Sequence, residues 1–177
     1  MPKYIAKQSL NFSHPTPKRP QDSPHAAPDI KYVDALQEPA PDDNSPFLPK
    51  TRKEKIEKVV GALLFYGHDI DLTILVALST IVSQQNQLTE KIEQAINQLL
   101  GCLTSHPNET IQYYASEMIL QIHSDASYLS EKNSSSRAGV YFFLGNHVMK
   151  GMPIFPDGAV HTLCTILKHV VASAAKA

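Results

Sequence analysis

Proline divides this sequence into two unlike parts. Ten of its 13 prolines lie in the first 49 residues, and the other three are spread over the rest of the chain. Each proline fixes its own φ angle and biases the preceding residue toward extended geometry, so a helix does not continue through such a region. We therefore expect a short helical or extended piece over residues 4–12, followed by an extended or disordered Pro-rich arm over residues 13–49.

Composition and charge exclude several classes of protein. Hydrophobic residues make up 42% of the chain, enough for a core, while the longest uncharged apolar runs, 59–66 and 74–82, are far shorter than the roughly 20 residues of a membrane helix. No signal peptide is readable, and the two cysteines form no disulfide framework. We expect an intracellular protein, cytoplasmic or nuclear, with no membrane partner. With a formal charge of −1, any binding to nucleic acid must come from a local patch.

Helical periodicity follows the Pro-rich segment. Thr51 begins an S/T-x-x-E capping-box pattern, after which apolar residues recur at helical spacing. Asp69 or Asp71 can cap a second helix, and Thr89 can cap a third. Three helices with short connections predict a compact helical unit from about residue 51 to residue 104.

The periodicity then changes to that of strands. Residues 118–125 alternate with period two, as in a half-buried strand, and residues 138–144 are aromatic and β-branched. Residues 155–158 fit a type I turn that leads into a third strand, Ala159–Leu167. These strands predict an antiparallel three-stranded meander, followed from residue 168 by a truncated helix. The fold class expected from the residues is α+β.

One carboxylate stands out as a candidate metal ligand. Asp125 ends the first predicted strand, where it can hold a hard cation such as Mg²⁺, although spacing alone favours an aspartate that begins a turn. Glu117 shares its side-chain parity but lies about 26 Å away along an extended strand. Asp157 belongs to the predicted turn, and Glu131 is possible without support. A two-metal site needs several carboxylates around both ions, and the sequence does not supply them.

Basic residues gather where the first long helix begins: Lys50, Arg52, Lys53, Lys55 and Lys58. Glu54 and Glu57 are interleaved with them, so pairs such as Glu54–Lys58 and Lys53–Glu57 are expected on a solvated, salt-paired face. A nucleic-acid contact through Lys50, Arg52, Lys53 and Lys55 is the alternative interpretation of the same cluster.

The order of residues resembles a known family. Residues 119–131, Ser136–Gly145 and residues 171–177 resemble the opening of the ribonuclease H domain of copia-type retrotransposon polyproteins. Residues 60–66, 69–71, 98–100 and 111–113 are similar to the segment that joins their reverse transcriptase to that domain. Residues 1–4 and 14–20 look like the end of the polymerase portion. The resemblance therefore covers nearly the whole chain.

This resemblance implies a function and a division of the chain. Residues 1–49 would be the Pro-rich arm and polymerase tail, 50–107 the helical connection segment, and 108–177 a partial ribonuclease H-like domain. Asp125 would match the family's first metal-binding aspartate, with Mg²⁺ as cofactor. The partners would be an RNA/DNA hybrid and the remainder of the polyprotein.

The same resemblance indicates an incomplete enzyme. It places the family's catalytic glutamate immediately after residue 177, and Lys176 stands where the family often carries an acid. We expect a fragment of a reverse transcriptase/ribonuclease H polyprotein that is inactive alone, because a single aspartate cannot hold two Mg²⁺ ions. Two other interpretations remain open: a non-catalytic module that binds protein or nucleic acid, and a decayed reading frame.

Overall fold

The protein contains helices and one antiparallel sheet. The computed structural model describes residues 3–26, 43–127 and 135–167, and the chain divides into two compact units. One unit comprises Met1–Gly67 and Thr73–Glu109, and the other comprises His68–Leu72 and Thr110–Ala177. The described elements, in chain order, are α1 (Tyr4–Asn11), α2 (Lys50–Asp69), α3 (Leu75–Ser83), α4 (Glu90–Ser105), β1 (Ile119–Ala126), β2 (Ser136–Gly145) and β3 (Ala159–Leu167). The predicted α+β class is confirmed. The predicted helix from residue 168 lies outside the described residues.

Helix α2 starts two residues earlier than the capping box predicts. The carbonyl of Pro49 accepts hydrogen bonds from the backbone N–H groups of Arg52 and Lys53, both at 3.1 Å. Thr51 therefore lies inside the first turn, and its assignment as the N-cap is wrong. Proline fits the position just before a helix because the N–H group that it lacks would have no partner there.

The two following helices differ in how they begin. A 3₁₀ turn, Leu72–Ile74, directly follows Asp71 and leads into α3, and the N-cap residue of α3 itself, Ile74, makes no side-chain hydrogen bond. The prediction for α4 is confirmed, because the Thr89 hydroxyl oxygen accepts a hydrogen bond of 3.4 Å from the backbone N–H of Ile92. Such a cap satisfies one of the free donors of a helix N-terminus.

The helical unit is held together by an apolar core. Leu63 of α2, Leu78 of α3 and Leu99 of α4 are completely buried. Tyr4 of α1 stacks on Tyr66 with ring centroids 5.4 Å apart, and its hydroxyl donates to the carbonyl of Ala62 in α2. The first unit therefore includes α1 together with the three predicted helices.

The described part of the Pro-rich segment lies along α4. The backbone N–H of Gln21 donates to the Ser105 hydroxyl, Gln98 donates to the carbonyl of Ser23, and His106 pairs with Asp22 at 2.9 Å. Residues 13–26 contain no helix, as their prolines predict. Residues 27–42 of the expected arm lie outside the described residues.

The sheet is the predicted meander, with neighbours in the order β1–β2–β3 and both pairs antiparallel. Ile122 lies opposite Phe142, and Val140 lies opposite Leu163. The register of β3 shifts between Phe142 and Phe143, where the pairing is irregular. The predicted type I turn is not formed, because residues 153–158 run without a turn and the N–H of Gly158 donates to the carboxylate of Asp157.

The two faces of this sheet differ in burial. Phe143 is completely buried on one face, where the Tyr141 and His123 rings lie 5.7 and 5.3 Å from it. On the other face Leu120 is 56% exposed and Ile122 is 54% exposed. Six of the eight residues of β1 are exposed, so this strand is not half-buried as its alternation predicts.

No helix in residues 3–26, 43–127 and 135–167 combines the length and the apolar character that crossing a membrane requires.

Candidate functional site

Asp125 lies near the end of β1 with an open space beside it. Its side chain is exposed, and one carboxylate oxygen accepts a hydrogen bond of 2.8 Å from the backbone N–H of Ala126. Gly139 lies opposite it on β2, and an added Cβ at Gly139 would meet nothing within 4 Å. The carboxylate is therefore accessible to solvent and free to accept a further ligand through its second oxygen.

The other candidate ligands are used elsewhere in the fold. Glu117 accepts a hydrogen bond from the backbone N–H of His147, which belongs to the segment after β2. Asp157 accepts from the N–H groups of Tyr114 and Gly158 and so joins the segments before β1 and β3. Glu131 lies outside the described residues, as does Lys176.

The neighbours of Asp125 do not complete a metal centre. His123, two residues earlier, packs edge-on against Phe143, and Cys164 lies across the sheet beyond Gly139. Within the ranges that the structure covers, no three His, Cys, Asp or Glu side chains are close enough together to hold a metal ion. Two Mg²⁺ ions require several carboxylates, so the described donor set does not fit a two-metal centre.

Arg52 joins two helices. Its guanidinium donates to both carboxylate oxygens of Glu93, with Nε at 2.8 Å from Oε1, and it lies 4.0 Å from Glu90. Both acids are in the first turn of α4, so the pairing links the N-terminal ends of α2 and α4. A guanidinium held by two oxygens of one carboxylate is geometrically fixed, which is typical of a structural contact.

The remaining basic residues point to different neighbours. Lys50 lies 4.0 Å from Glu54, and the Lys53 ammonium lies 5.9 Å from the centre of the Phe47 ring. The ion pairs of the described chain do not include the predicted Glu54–Lys58 and Lys53–Glu57 pairs. Lys55 faces a cavity between α1 and α2. The four basic residues predicted as one nucleic-acid contact therefore have different neighbours, and that contact stays a prediction.

The sequence did not predict this cavity. It has a volume of about 360 Å³ and is lined by Asn11, Phe12, Ser13, Thr51, Glu54, Lys55 and Lys58. One wall is α2 and the other is the chain just after α1, 38 or more residues away in sequence. No local pattern brings these segments together, although the spacing of Thr51, Lys55 and Lys58 does predict one helix face.

A second missed feature is the environment of Asp43. Its carboxylate accepts hydrogen bonds from the Ser45 hydroxyl, the Thr89 hydroxyl and the Ser45 backbone N–H, at 2.6, 2.5 and 3.0 Å. These donors, the Ser45 hydroxyl first, lower the pKa of Asp43 from 3.8 to about 2. The Asp-x-Ser spacing is a local signal for an Asx turn, whereas the contact with Thr89 is formed only by the fold.

Comparison with known proteins identifies no relative: the chain matches no protein-family model, no curated protein and no solved structure.

Proposed function

We propose that this chain is a fragment of a copia-type retrotransposon polyprotein. In this proposal the helical unit is the connection that follows the reverse transcriptase, and the sheet is the amino-terminal part of a ribonuclease H-like domain. The parent polyprotein would carry out RNA-directed DNA synthesis and cleave RNA in RNA/DNA hybrids. The chain by itself would lack both activities.

One observation carries the proposal. The three strands pair consecutively and antiparallel, and Asp125 lies at the end of the first of them with its carboxylate exposed. An exposed carboxylate beside consecutive antiparallel strands supports the proposal that Asp125 corresponds to the family's first metal-binding aspartate.

The donor set supports the inactivity of the chain alone. When bound, paired Mg²⁺ ions in the parent family would activate water and stabilise the developing charge on the phosphate. Asp125 is a single carboxylate, and the described residues supply no second and third ligand around it. We assign no catalytic step to this chain.

The uncovered face of the sheet supports a larger parent domain. Leu120, Ile122 and Leu163 are 56%, 54% and 44% exposed on it. A sheet with an apolar face normally buries that face against another layer. The proposed partner for this face is the remainder of the polyprotein.

The experiment is a hybrid-cleavage assay with two proteins of different length. The chain alone, with Mg²⁺ or Mn²⁺, is expected to cleave an RNA/DNA hybrid no faster than its Asp125→Asn variant. The same chain, fused to the carboxyl-terminal half of a copia-type ribonuclease H domain, is expected to cleave the hybrid.

The matched controls separate the two parts of the proposal. Asp125→Asn should abolish cleavage by the fused protein, whereas Glu109→Gln, an exposed acid outside the sheet, should leave it unchanged. Turnover by the chain alone that depends on Asp125 would overturn its inactivity. A folded fusion that shows no cleavage would contradict the family assignment.

A further inference from the structure

The cavity between α1 and α2 combines two walls of different chemistry. Thr51, Lys55 and Lys58 lie on one side of α2, spaced so that their side chains follow one another along the helix. Facing them are Phe12 and Ser13, which directly follow α1. A volume of about 360 Å³ lies at the small end of the range for ligand pockets, enough for a compact polar ligand.

Two of the three charged side chains that line this cavity are lysines without an ion-pair partner among the described residues. Arg52 is held by Glu93 and Lys53 lies over Phe47, so neither is available to a ligand without losing a contact. Lys55 and Lys58, in contrast, have no carboxylate within 4.0 Å among the residues that the structure describes. The free ammonium groups of this basic segment are thus directed to one cavity.

The negative charge of Glu54, the acidic residue of the cavity, is partly offset by a nearby lysine outside it. Glu54 lies 4.0 Å from the Lys50 ammonium, one turn earlier on α2. Burial lowers the pKa of the nearby His14, and the charge of Lys55 lowers it further. With His14 favoured as neutral and Glu54 beside Lys50, the two lysines dominate the local charge.

Hydroxyl groups and an aromatic ring complete the lining. The side chains of Ser13 and Thr51 make no hydrogen bond to any described residue, so their hydroxyls can donate to a ligand oxygen. Phe12 is half-buried and exposes part of its ring to the cavity. An aromatic face beside two ammonium groups is the arrangement by which proteins hold a base and its phosphate together.

We propose that this cavity binds a nucleotide unit, whose phosphate lies between Lys55 and Lys58 and whose base packs against Phe12. The ligand chemistry is a phosphate joined to an aromatic base. Two sources can supply it, a free mononucleotide and one nucleotide of a single strand. This site lies in the helical unit and does not depend on the sheet, so it stands apart from the proposed ribonuclease H relationship.

The test is calorimetric titration of the full chain at physiological ionic strength. The probes are AMP, inorganic phosphate, adenosine and a short single-stranded oligoadenylate. AMP or the oligoadenylate is expected to bind more tightly than phosphate or adenosine, because only they fill both halves of the cavity. Binding of AMP would indicate a mononucleotide site, and binding of the oligoadenylate alone would indicate a single-strand site.

Two variants locate the binding. Lys55→Ala/Lys58→Ala is expected to weaken binding at least about tenfold, because it removes both phosphate contacts. The control Lys18→Ala/Lys91→Ala removes the same charge from exposed positions outside the cavity and should bind like the wild type. Phe12→Leu should weaken AMP or oligoadenylate binding and leave phosphate binding unchanged.

The proposal is overturned if none of the four probes binds, or if both double variants weaken binding equally, since the effect would then be one of overall charge. Equal affinity for phosphate and AMP, unchanged in Phe12→Leu, would also overturn it. The circular dichroism melting curve of each variant should match that of the wild type. This agreement shows that the substitution preserves the fold.

Discussion

At the scale of single residues, several polar side chains of this protein form hydrogen bonds that connect segments far apart in the sequence. Asp43 accepts from Thr89, which lies 46 positions later and caps α4. Tyr141 donates its hydroxyl proton to the carbonyl of Asp157, and burial raises the pKa of that phenol. Asp125 differs from them, because its carboxylate accepts only from the next residue and is otherwise open to solvent.

The first prediction concerns Asp43 and pH. Its pKa is lowered to about 2 in the folded protein, so the folded state holds the ionised form more strongly than the unfolded state does. The stabilisation is fully present above the ordinary pKa of 3.8 and is lost as pH falls through about 2. We expect Asp43→Asn to lower the Tm at neutral pH, with a difference from wild type that shrinks steadily below pH 4.

Thermal melting of both proteins across the acid range measures this difference. Because Asp43 is only half-buried, solvent screening keeps the effect small. Glu109→Gln serves as the control for loss of an exposed acid. A Tm difference for Asp43→Asn that stays constant down to pH 2 would contradict the assignment.

The second prediction concerns a glycine with no room for a side chain. A Cβ at Gly158 would lie 2.5 Å from the carbonyl oxygen of Gln112 and 2.6 Å from a methyl carbon of Ile111. Because a backbone oxygen cannot move without its chain, Gly158→Ala should destabilise the sheet unit by about 1–3 kcal/mol. Chemical denaturation followed by circular dichroism measures the change.

Gly139→Ala is the matched control for that substitution. Gly139 also lies in the sheet, on β2, but nothing stands within 4 Å of its added Cβ. Its free energy of unfolding should change little or rise slightly, since alanine restricts the unfolded chain. Equal losses at both glycines would refute the steric explanation.

At the scale of elements, the first turn of α4 is the point where several segments meet. Arg52 of α2 binds Glu93 there, and Thr89 caps the helix while it contacts Asp43. The backbone of Leu48, between the Pro-rich segment and α2, donates to the carbonyl of Leu88. The basic character of early α2 is thus used in part for helix packing.

The third prediction is a double-mutant cycle on that contact. Arg52→Gln and Glu93→Gln, alone and together, should give a coupling energy near 1 kcal/mol, since the pair is bidentate and only partly exposed. The Lys50–Glu54 pair is more exposed and 4.0 Å long, so its cycle should give about 0.3 kcal/mol. A coupling for Arg52–Glu93 no larger than that of the control pair would show that this contact does not hold the helices together.

At the scale of the whole molecule, the helical unit has a closed core, while the sheet leaves one apolar face, with Leu120, Ile122 and Leu163, about half exposed (the open face). Leu63, Leu78 and Leu99 have no exposed surface, and Phe143 alone among the large sheet residues is equally buried. Contiguous apolar surface of this kind marks an interaction site or an association hazard in proteins.

The fourth prediction follows from the open face. Ile122→Thr combined with Leu163→Thr should reduce binding of a hydrophobic dye and any concentration-dependent association, while it changes the Tm little. Both side chains are about half exposed, and threonine is a β-branched residue of the kind that strands favour. Light scattering and dye fluorescence measure the two effects.

Phe143→Ala provides the contrast, because Phe143 lies on the opposite side of the sheet from Ile122 and is completely buried. Removal of this buried ring should cost about 3–5 kcal/mol of stability. If the double threonine variant loses as much stability as Phe143→Ala does, the open face is covered in solution and the interpretation is wrong.

The sequence by itself determined the features that depend on neighbours along the chain. The period-two and aromatic runs placed three strands in consecutive antiparallel order, and the Thr89 cap located the start of α4. These features are local because hydrogen bonds and side-chain alternation repeat over a few residues. Even there, Pro49 displaced Thr51 as the start of α2, since two plausible starts lay two residues apart.

Only the tertiary structure decided what depends on packing between distant segments. It divided the basic residues of early α2 between Glu93, Phe47 and a cavity, and it placed α1 against that helix to form the cavity. It also left Leu120 and Ile122 exposed on a strand whose pattern predicts half-burial. The physical reason is that a periodic pattern specifies which side chains share a face, while burial depends on whether another element packs against that face.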